Sequence, residues 1–211
     1  MDPLRIAELL RPVAGDAAVS PEILEQLQLY LDLLLRWNAR MNLTAVRDPE
    51  EMVARHFGES LLAARLLFPQ ARDSKSCSLC DVGSGAGFPG IPIKLWAPQI
   101  ELTLIESQNK KATFLREVLR TLKLDGAQVF AGRAEEWPMT ADLVTLRAVE
   151  KFETVLPVAA RLVEPGGRLC LLIGSSQLDS ARKLLGETWT WHEPHPVPQS
   201  SRRVVAVAHR N

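Results

Sequence analysis

The chain has 211 residues, 46% of them hydrophobic, with 25 Lys+Arg against 25 Asp+Glu. A zero formal charge excludes a polycation that coats nucleic acid, and the apolar share excludes a wholly disordered chain. Twelve glycines and fourteen prolines are too few for low complexity, and a chain of this length can bury a core without disulfide or metal staples.

The first seventy residues read as helical. Met1 to Leu10 carries Asp2 and Glu8 and lacks the basic start and apolar core of an export signal. Ser20-Pro21-Glu22 is a capping residue followed by proline at the first helical position. Ile23, Leu24, Leu27, Tyr30, Leu31, Leu34 and Leu35 then recur at helical spacing, which predicts a helix to about Trp37. Asn38 to Arg47 is a polar connection. Asp48-Pro49-Glu50-Glu51 repeats the start signal, and Met52, Val53, Phe57, Leu61, Leu62 and Leu66 form another apolar stripe. Pro69 to Ser76 is polar and aperiodic and marks a linker. Residues 1–70 are therefore expected to form a helical extension and 71–211 the main domain, the two making one compact unit. Asp32, Arg36 and Arg65 interrupt the longest apolar stretches, so no membrane span is expected.

After the linker the rhythm changes. Strands are predicted at 78–82, 101–106, 128–131, 142–146, 167–173 and 203–208, and helices at 91–96, 110–123, 152–162 and 177–185. This alternation predicts an α/β fold with a mostly parallel sheet covered on both faces. Trp189, Trp191 and the prolines at 194, 196 and 198, followed by a Val-rich strand, predict an antiparallel hairpin at one sheet edge. Three cysteines, an odd number, suit a reducing cytosol, and a cytoplasmic protein is expected.

The most informative stretch is Asp81-Val82-Gly83-Ser84-Gly85-Ala86-Gly87-Phe88-Pro89-Gly90, between a predicted strand and a predicted helix. Glycines let the chain turn sharply and let a ligand approach, and a helix start adds free N–H groups. Two ligands fit. Gly85, Gly87 and Gly90 match the G-x-G-x-x-G spacing of dinucleotide sites, with Glu106 placed 21 residues after Gly85 to bind a ribose. Gly83, Gly85 and Gly87, preceded by Asp81, instead resemble the first motif of class I S-adenosylmethionine (SAM) methyltransferases. An acid there suits SAM, whose amino group and sulfonium are positive, and would repel a pyrophosphate. An NAD(P)-dependent oxidoreductase is the alternative.

The match extends further. DVGSGAGFPGIP at 81–92, Glu106-Ser107, Lys110-Lys111, Asn42-Leu43-Thr44, Arg55-His56 with Ser60, the Gly132-Arg133-Ala134-Glu135-Glu136 stretch and Thr145-Leu146-Arg147-Ala148 resemble, in the same order, the ribosomal RNA guanine-N7 methyltransferases called RsmG or GidB. The resemblance implies a class I Rossmann-like fold, SAM as cofactor, and small-subunit (16S) ribosomal RNA or the ribosomal subunit as partner. It implies SAM contacts from Asp81, Gly83, Gly85, Gly87, Phe88, Glu106, Ala134 and Glu135. It also places Arg147, at the end of the fourth strand, facing methyl donor and target. The chain departs from the family at Ile173-Gly174, where Lys-Gly is usual, and at Glu59, where Asp is usual. A non-catalytic ribosome-assembly factor is a second alternative, against which the intact Asp81, glycines and Glu106 count.

Guanine N7 carries a free lone pair in the neutral base, so its methylation needs no proton removed. Accordingly no hydrolase triad is seen, and alignment of N7 with the methyl is the main task. Arg147 and His56 are the candidate catalytic residues, His56 sharing a helical face with Ser60. Arg40, Arg47 and Arg147 are expected to define the RNA side, with Asn42, Arg116 and Arg202 as further RNA contacts. Cys77-x-x-Cys80 enters a strand instead of opening a helix, and with only Cys170 left no metal site is expected. The tryptophans read as packing residues, with Trp37 the candidate for base stacking. A monomer is expected.

Overall fold

A computed structural model describes residues 1–14, 19–69, 76–149 and 151–211. Residues 70–75, most of the expected linker, lie outside the described residues. The N-terminal part contains α1 (Pro3–Ala14), α2 (Pro21–Asn38), a short α3 (Pro49–Glu51), a π-helical turn (Met52–Phe57) and α4 (Gly58–Leu67). The start signals act as the sequence predicts: Ser20 Oγ accepts from the Ile23 N–H, and Asp48 Oδ2 accepts from the Glu51 N–H. α1, for which no start was predicted, begins the same way: Asp2 precedes Pro3 and its Oδ1 accepts from the Arg5 N–H at 2.9 Å. The π turn was not foreseen either. It is a local widening of the helix, a feature often found at functional sites.

The sheet part runs β1 (Ser78–Val82), α5 (Gly90–Trp96), β2 (Glu101–Ile105), α6 (Asn109–Thr121), β3 (Ala127–Phe130), β4 (Ala141–Arg147), α7 (Phe152–Arg161), β5 (Val163–Gly174), α8 (Leu178–Leu185), β6 (Trp189–Trp191), β7 (His195–Pro196) and β8 (Arg203–Arg210). Strand order is β3-β2-β1-β4-β5-β8-β6, with β7 also paired to β8. The pairs from β3 to β5 are parallel, and β8 runs antiparallel to both β5 and β6. The Val-rich strand therefore lies inside the sheet. Its short Trp-bearing partner, β6, takes the edge expected for the hairpin.

Alternation along the strands divides the core in two. Leu79, Leu102, Leu104, Leu143, Leu172 and Val205 face the side covered by α1, α2, α4, α5 and α6. Cys80, Val82, Ile105, Val144, Leu146, Leu171 and Ala206 face α7 and α8. The N-terminal helices thus share a hydrophobic core with the sheet. The same parity turns Asp81, Thr145, Arg147 and Arg203 toward the N-terminal helices, and this positions the site. Cys77 packs against the first core and Cys80 lies in the second, so the two thiols are on opposite faces. All three thiols are free, and burial pushes those of Cys80 and Cys170 up to about 12, far from a reactive thiolate. No described helix is long and apolar enough to cross a membrane.

Candidate functional site

The glycine turn follows β1 at the carboxyl edge of the sheet, where ligands of open α/β sheets bind. Its acid works underneath it. Asp81 and Thr145 are register partners on β1 and β4, and the Thr145 hydroxyl donates to Asp81 Oδ1 at 2.6 Å. Asp81 Oδ2 accepts the Gly90 N–H at 3.3 Å, tying the start of α5 to the strand. Asp81 is fully buried, and burial raises its carboxyl to about 6 against the pull of these hydrogen bonds. Both oxygens of the acid expected to face the ligand are therefore engaged beneath the turn.

Glu106, just beyond β2, closes the other side. Its Oε2 accepts the Gly85 N–H at 2.9 Å, and its Oε1 accepts the Gln108 N–H at 2.8 Å. Gly85 has φ +59°, and a Cβ there would come no closer than 3.8 Å to any other residue, so this side of the turn is open. Gly87 is the opposite case: at φ +91° its Cβ would lie 2.5 Å from both the Tyr30 hydroxyl and Ile91 Cδ1. Its missing side chain lets α2 approach. The Tyr30 hydroxyl donates to the Ala86 carbonyl, and the Tyr30 ring stacks on Phe88 at 5.3 Å between centroids. The turn is thus supported from above by the chain's only tyrosine, which in sequence is simply part of an apolar stripe.

Phe88 links this half of the site to a charged cluster. Its ring also meets Phe57 edge-on, tilts against His56, and lies 5.7 Å from the Arg147 guanidinium. Arg147 Nη2 donates to His56 Nδ1 at 2.9 Å and to Glu59 Oε2 at 3.1 Å. Because arginine can only donate, Nδ1 must be the acceptor, so the imidazole is neutral with its hydrogen on Nε2. That hydrogen points to Thr44 Oγ1 at 2.7 Å. Burial, followed by the charges of Arg147, Arg55 and Arg203, lowers His56 to about 3. Burial also pulls Arg147 below its ordinary value, and Glu59 opposes that pull. Glu59 is 3% exposed, and its Oε1 forms an ion-pair contact with Arg203 Nη1 at 2.5 Å. Oε1 takes no aligned hydrogen bond.

Sequence reasoning paired His56 with Ser60. In the structure the Ser60 hydroxyl donates to the His56 carbonyl at 2.6 Å and is spent on the helix backbone. The partner facing Arg147 is Glu59, one residue earlier, and the available signal was the one carboxylate in α4. Thr44 and Arg203 were also missed as neighbours of His56 and Arg147. Where the family has lysine, Ile173 faces the second core, and the cation that joins Arg147 comes from the adjacent β8.

The remaining candidates are more dispersed. Asn42 and Arg47 are brought together, with Arg47 Nη2 donating to Asn42 Oδ1 at 2.6 Å and Arg47 Nη1 to the Asn38 carbonyl at 3.0 Å. Asn38, at 4% exposure, braces the same connection through the Thr44 N–H and the Val46 carbonyl. Thr44 then joins it to His56. Ala134 and Glu135 lie in a single helical turn after β3, Ala134 buried and Glu135 paired with Arg133. Gly83, at φ +66°, begins the turn. Arg40 is exposed beyond α2, Arg116 is exposed on α6, and Arg202 is exposed just before β8. Trp37 serves in packing: its indole N–H donates to Glu117 at 3.2 Å and its ring meets Phe114, linking α2 to α6. Among the described residues no group of three His, Cys, Asp or Glu could hold a metal ion.

Known proteins match this chain in sequence and in fold. The family model described as rRNA small subunit methyltransferase G (GidB) matches residues 23–198. The chain belongs to this family. A ribosomal RNA small subunit methyltransferase G of Xanthomonas euvesicatoria is 41% identical over 198 residues, covering 91% of this chain and 88% of the relative. Among solved structures, a SAM dependent methyltransferase from Aquifex aeolicus matches with a TM-score of 0.58 at 14% identity, over 78% of this chain and 94% of its own. A ribosomal protein L11 methylase from Lactobacillus delbrueckii matches with a TM-score of 0.59 at 16% identity, over 73% and 79%. At such identities these structures speak to the fold, which is that of class I SAM-dependent methyltransferases.

Proposed function

We propose that this chain transfers the methyl group of SAM to N7 of a guanine in small-subunit ribosomal RNA, and that its site residues divide the work as follows. The observation that carries the reading is the pairing of Glu106 with the open face of Gly85. A carboxylate retains acceptor positions for ribose hydroxyls while bonded to one or two N–H groups. An acid at this position suits the ribose of either cofactor, and membership of the rRNA small subunit methyltransferase G family favours SAM over NAD(P). Gly83, Gly85 and Gly87 shape the turn around the cofactor, Phe88 forms the wall between cofactor and target, and Ala134 and Glu135 flank the adenine. Asp81 acts from below by fixing Gly90 and Thr145.

SAM supplies an electrophilic methyl on a sulfonium. The protein contributes position, which can be worth ~7–11 kcal/mol. N7 needs no base, and the site offers none at its centre: His56 is neutral and its one ring hydrogen is directed to Thr44. His56 instead orients Arg147, whose planar fork closes the target side at the end of β4. Glu59 balances that buried cation. Arg40, Asn42, Arg47, Arg116 and Arg202 contact RNA, with Asn42 and Arg47 acting as one unit. Residues 1–70 cap a main domain of residues 71–211, and the protein works as a monomer in the cytoplasm, where ribosomal subunits are assembled.

The test is mapping of N7-methylguanosine in ribosomal RNA from cells with and without the protein, together with melting curves of the purified chain. One N7 mark should vanish with the protein, and SAM should raise the melting temperature where NAD(P) does not. An unchanged RNA map would reject the activity.

A further inference from the structure

The charged cluster leads to a second recess that the cofactor reading does not use. A cavity of about 360 Å³ is lined by Arg55, Gln199, Ser200, Ser201, Arg202 and Arg203. Its walls come from the π turn after α3 and from the loop entering β8, segments about 145 residues apart in the chain. Three guanidiniums, two hydroxyls and an amide form its lining, with no carboxylate among them. Two acids lie nearby: exposed Glu51 comes within 3.7 Å of Arg55 from the preceding helical turn, and buried Glu59 pairs with Arg203. The loop is fastened in place. The Ser175 N–H donates to the Arg202 carbonyl at 2.8 Å, and the Ser200 N–H to the Val197 carbonyl at 3.1 Å.

We propose that this recess binds one backbone phosphate of the RNA substrate. The proposal rests on the RNA reading above and deepens it. It adds Arg55 and Arg203 to Arg202 and assigns the three to a single phosphate. Arginine suits this role because its planar fork matches phosphate oxygens, and hydroxyls complete the donor set. Position selects RNA over a free anion. Arg203 touches Glu59, and Glu59 touches Arg147, so the recess lies two side chains from the strand end where the target base must enter. A phosphate held there anchors the strand that presents the guanine. Phosphate contacts of this kind set register and carry no base identity.

The experiment compares wild type, Arg55→Glu/Arg202→Glu, the milder Arg55→Gln/Arg202→Gln, and a control with the same charge change elsewhere, Arg11→Glu/Lys183→Glu. Binding to unmodified small-subunit ribosomal RNA is followed by fluorescence anisotropy across a KCl series, and SAM binding by melting shift. Both recess variants should lower the slope of log affinity against log salt by about 0.7, the share of one single-strand phosphate contact, and the Glu variant should weaken binding about tenfold. Their SAM shift should match wild type, and the control should keep the wild-type slope. An unchanged slope in the recess variants, or an equal drop in the control, overturns the phosphate site. If wild type methylates the RNA while the recess variants keep its slope, this inference alone fails. If wild type neither binds nor methylates the RNA, the functional reading fails and takes the inference with it.

Discussion

The two halves of the sheet's carboxyl edge hold their charges by opposite means. At the ends of β1 and β2, Asp81 and Glu106 are acids satisfied largely by the N–H groups of the turn beside them. At the end of β4 and the start of antiparallel β8, Arg147 and Arg203 are cations satisfied by side chains, His56 and Glu59, from a helix about 90 to 145 residues away. Backbone donors come with the local fold, whereas side-chain partners must be brought by packing. The first half should therefore tolerate changes in the π turn and α4, its one helical support being Tyr30 of α2, and the second should collapse with them.

The largest expected contrast is in pH dependence. His56 is held at about 3, below its ordinary 6.5, so the unfolded chain binds its proton first. Its contribution is complete above pH 6.5 and is lost as pH falls toward 3, by up to about 5 kcal/mol. Asp81, raised to about 6, has the opposite sign: its contribution is complete below 3.8 and is lost as pH rises through 6, by about 3 kcal/mol. Denaturant melts across pH 4–7.5 should show a flatter acid limb for His56→Gln. Asp81→Asn should gain on wild type as pH rises. A His56→Gln curve parallel to wild type would remove the neutral buried imidazole.

Next is the buried ion pair. Glu59→Ala leaves Arg147 without its balancing charge, which should cost about 3–5 kcal/mol in urea unfolding. Glu59→Asp, the family's usual residue, should recover most of it. A loss below about 1 kcal/mol would mean that Arg147 finds water instead.

In the other half, Glu106→Ala should weaken SAM binding by about 2 kcal/mol, roughly thirtyfold, measured by calorimetry, because charge-assisted hydrogen bonds are worth about 1.5–3 kcal/mol. Unchanged affinity would reject its ribose role. The smallest effect is expected where the halves meet. Tyr30→Phe removes the hydroxyl that holds the Ala86 carbonyl and should cost about 1 kcal/mol of stability while retaining the stack on Phe88. If it weakened SAM binding as strongly as Glu106→Ala, α2 would belong to the cofactor site and the contrast between the halves would blur.

The same division governs what could be read in advance. Asp81, the glycines and Glu106 lie in contiguous motifs whose spacing follows from a strand, a turn and a helix start, so their place was legible. Helix caps at Ser20 and Asp48 were legible for the same reason, since each acts within three residues. Glu59 stands out in the sequence only as a departure from the family, and His56 pairs by face with Ser60, because helical spacing ranks residues by face without saying which neighbour waits opposite. Trp37 reads in sequence as the candidate for base stacking, and its indole is bonded to Glu117, 80 residues on.

By itself the sequence determined the alternation of strands and helices, the glycine turn and the acid that closes it, because those depend on local conformation and short spacing. Tertiary structure alone decided that Arg147 and Arg203 meet over one buried carboxylate, that His56 is neutral, and that Arg55 joins the loop entering β8. These outcomes depend on strand register and on which face of a parallel sheet a helix covers, and neither is written in any one stretch of the chain.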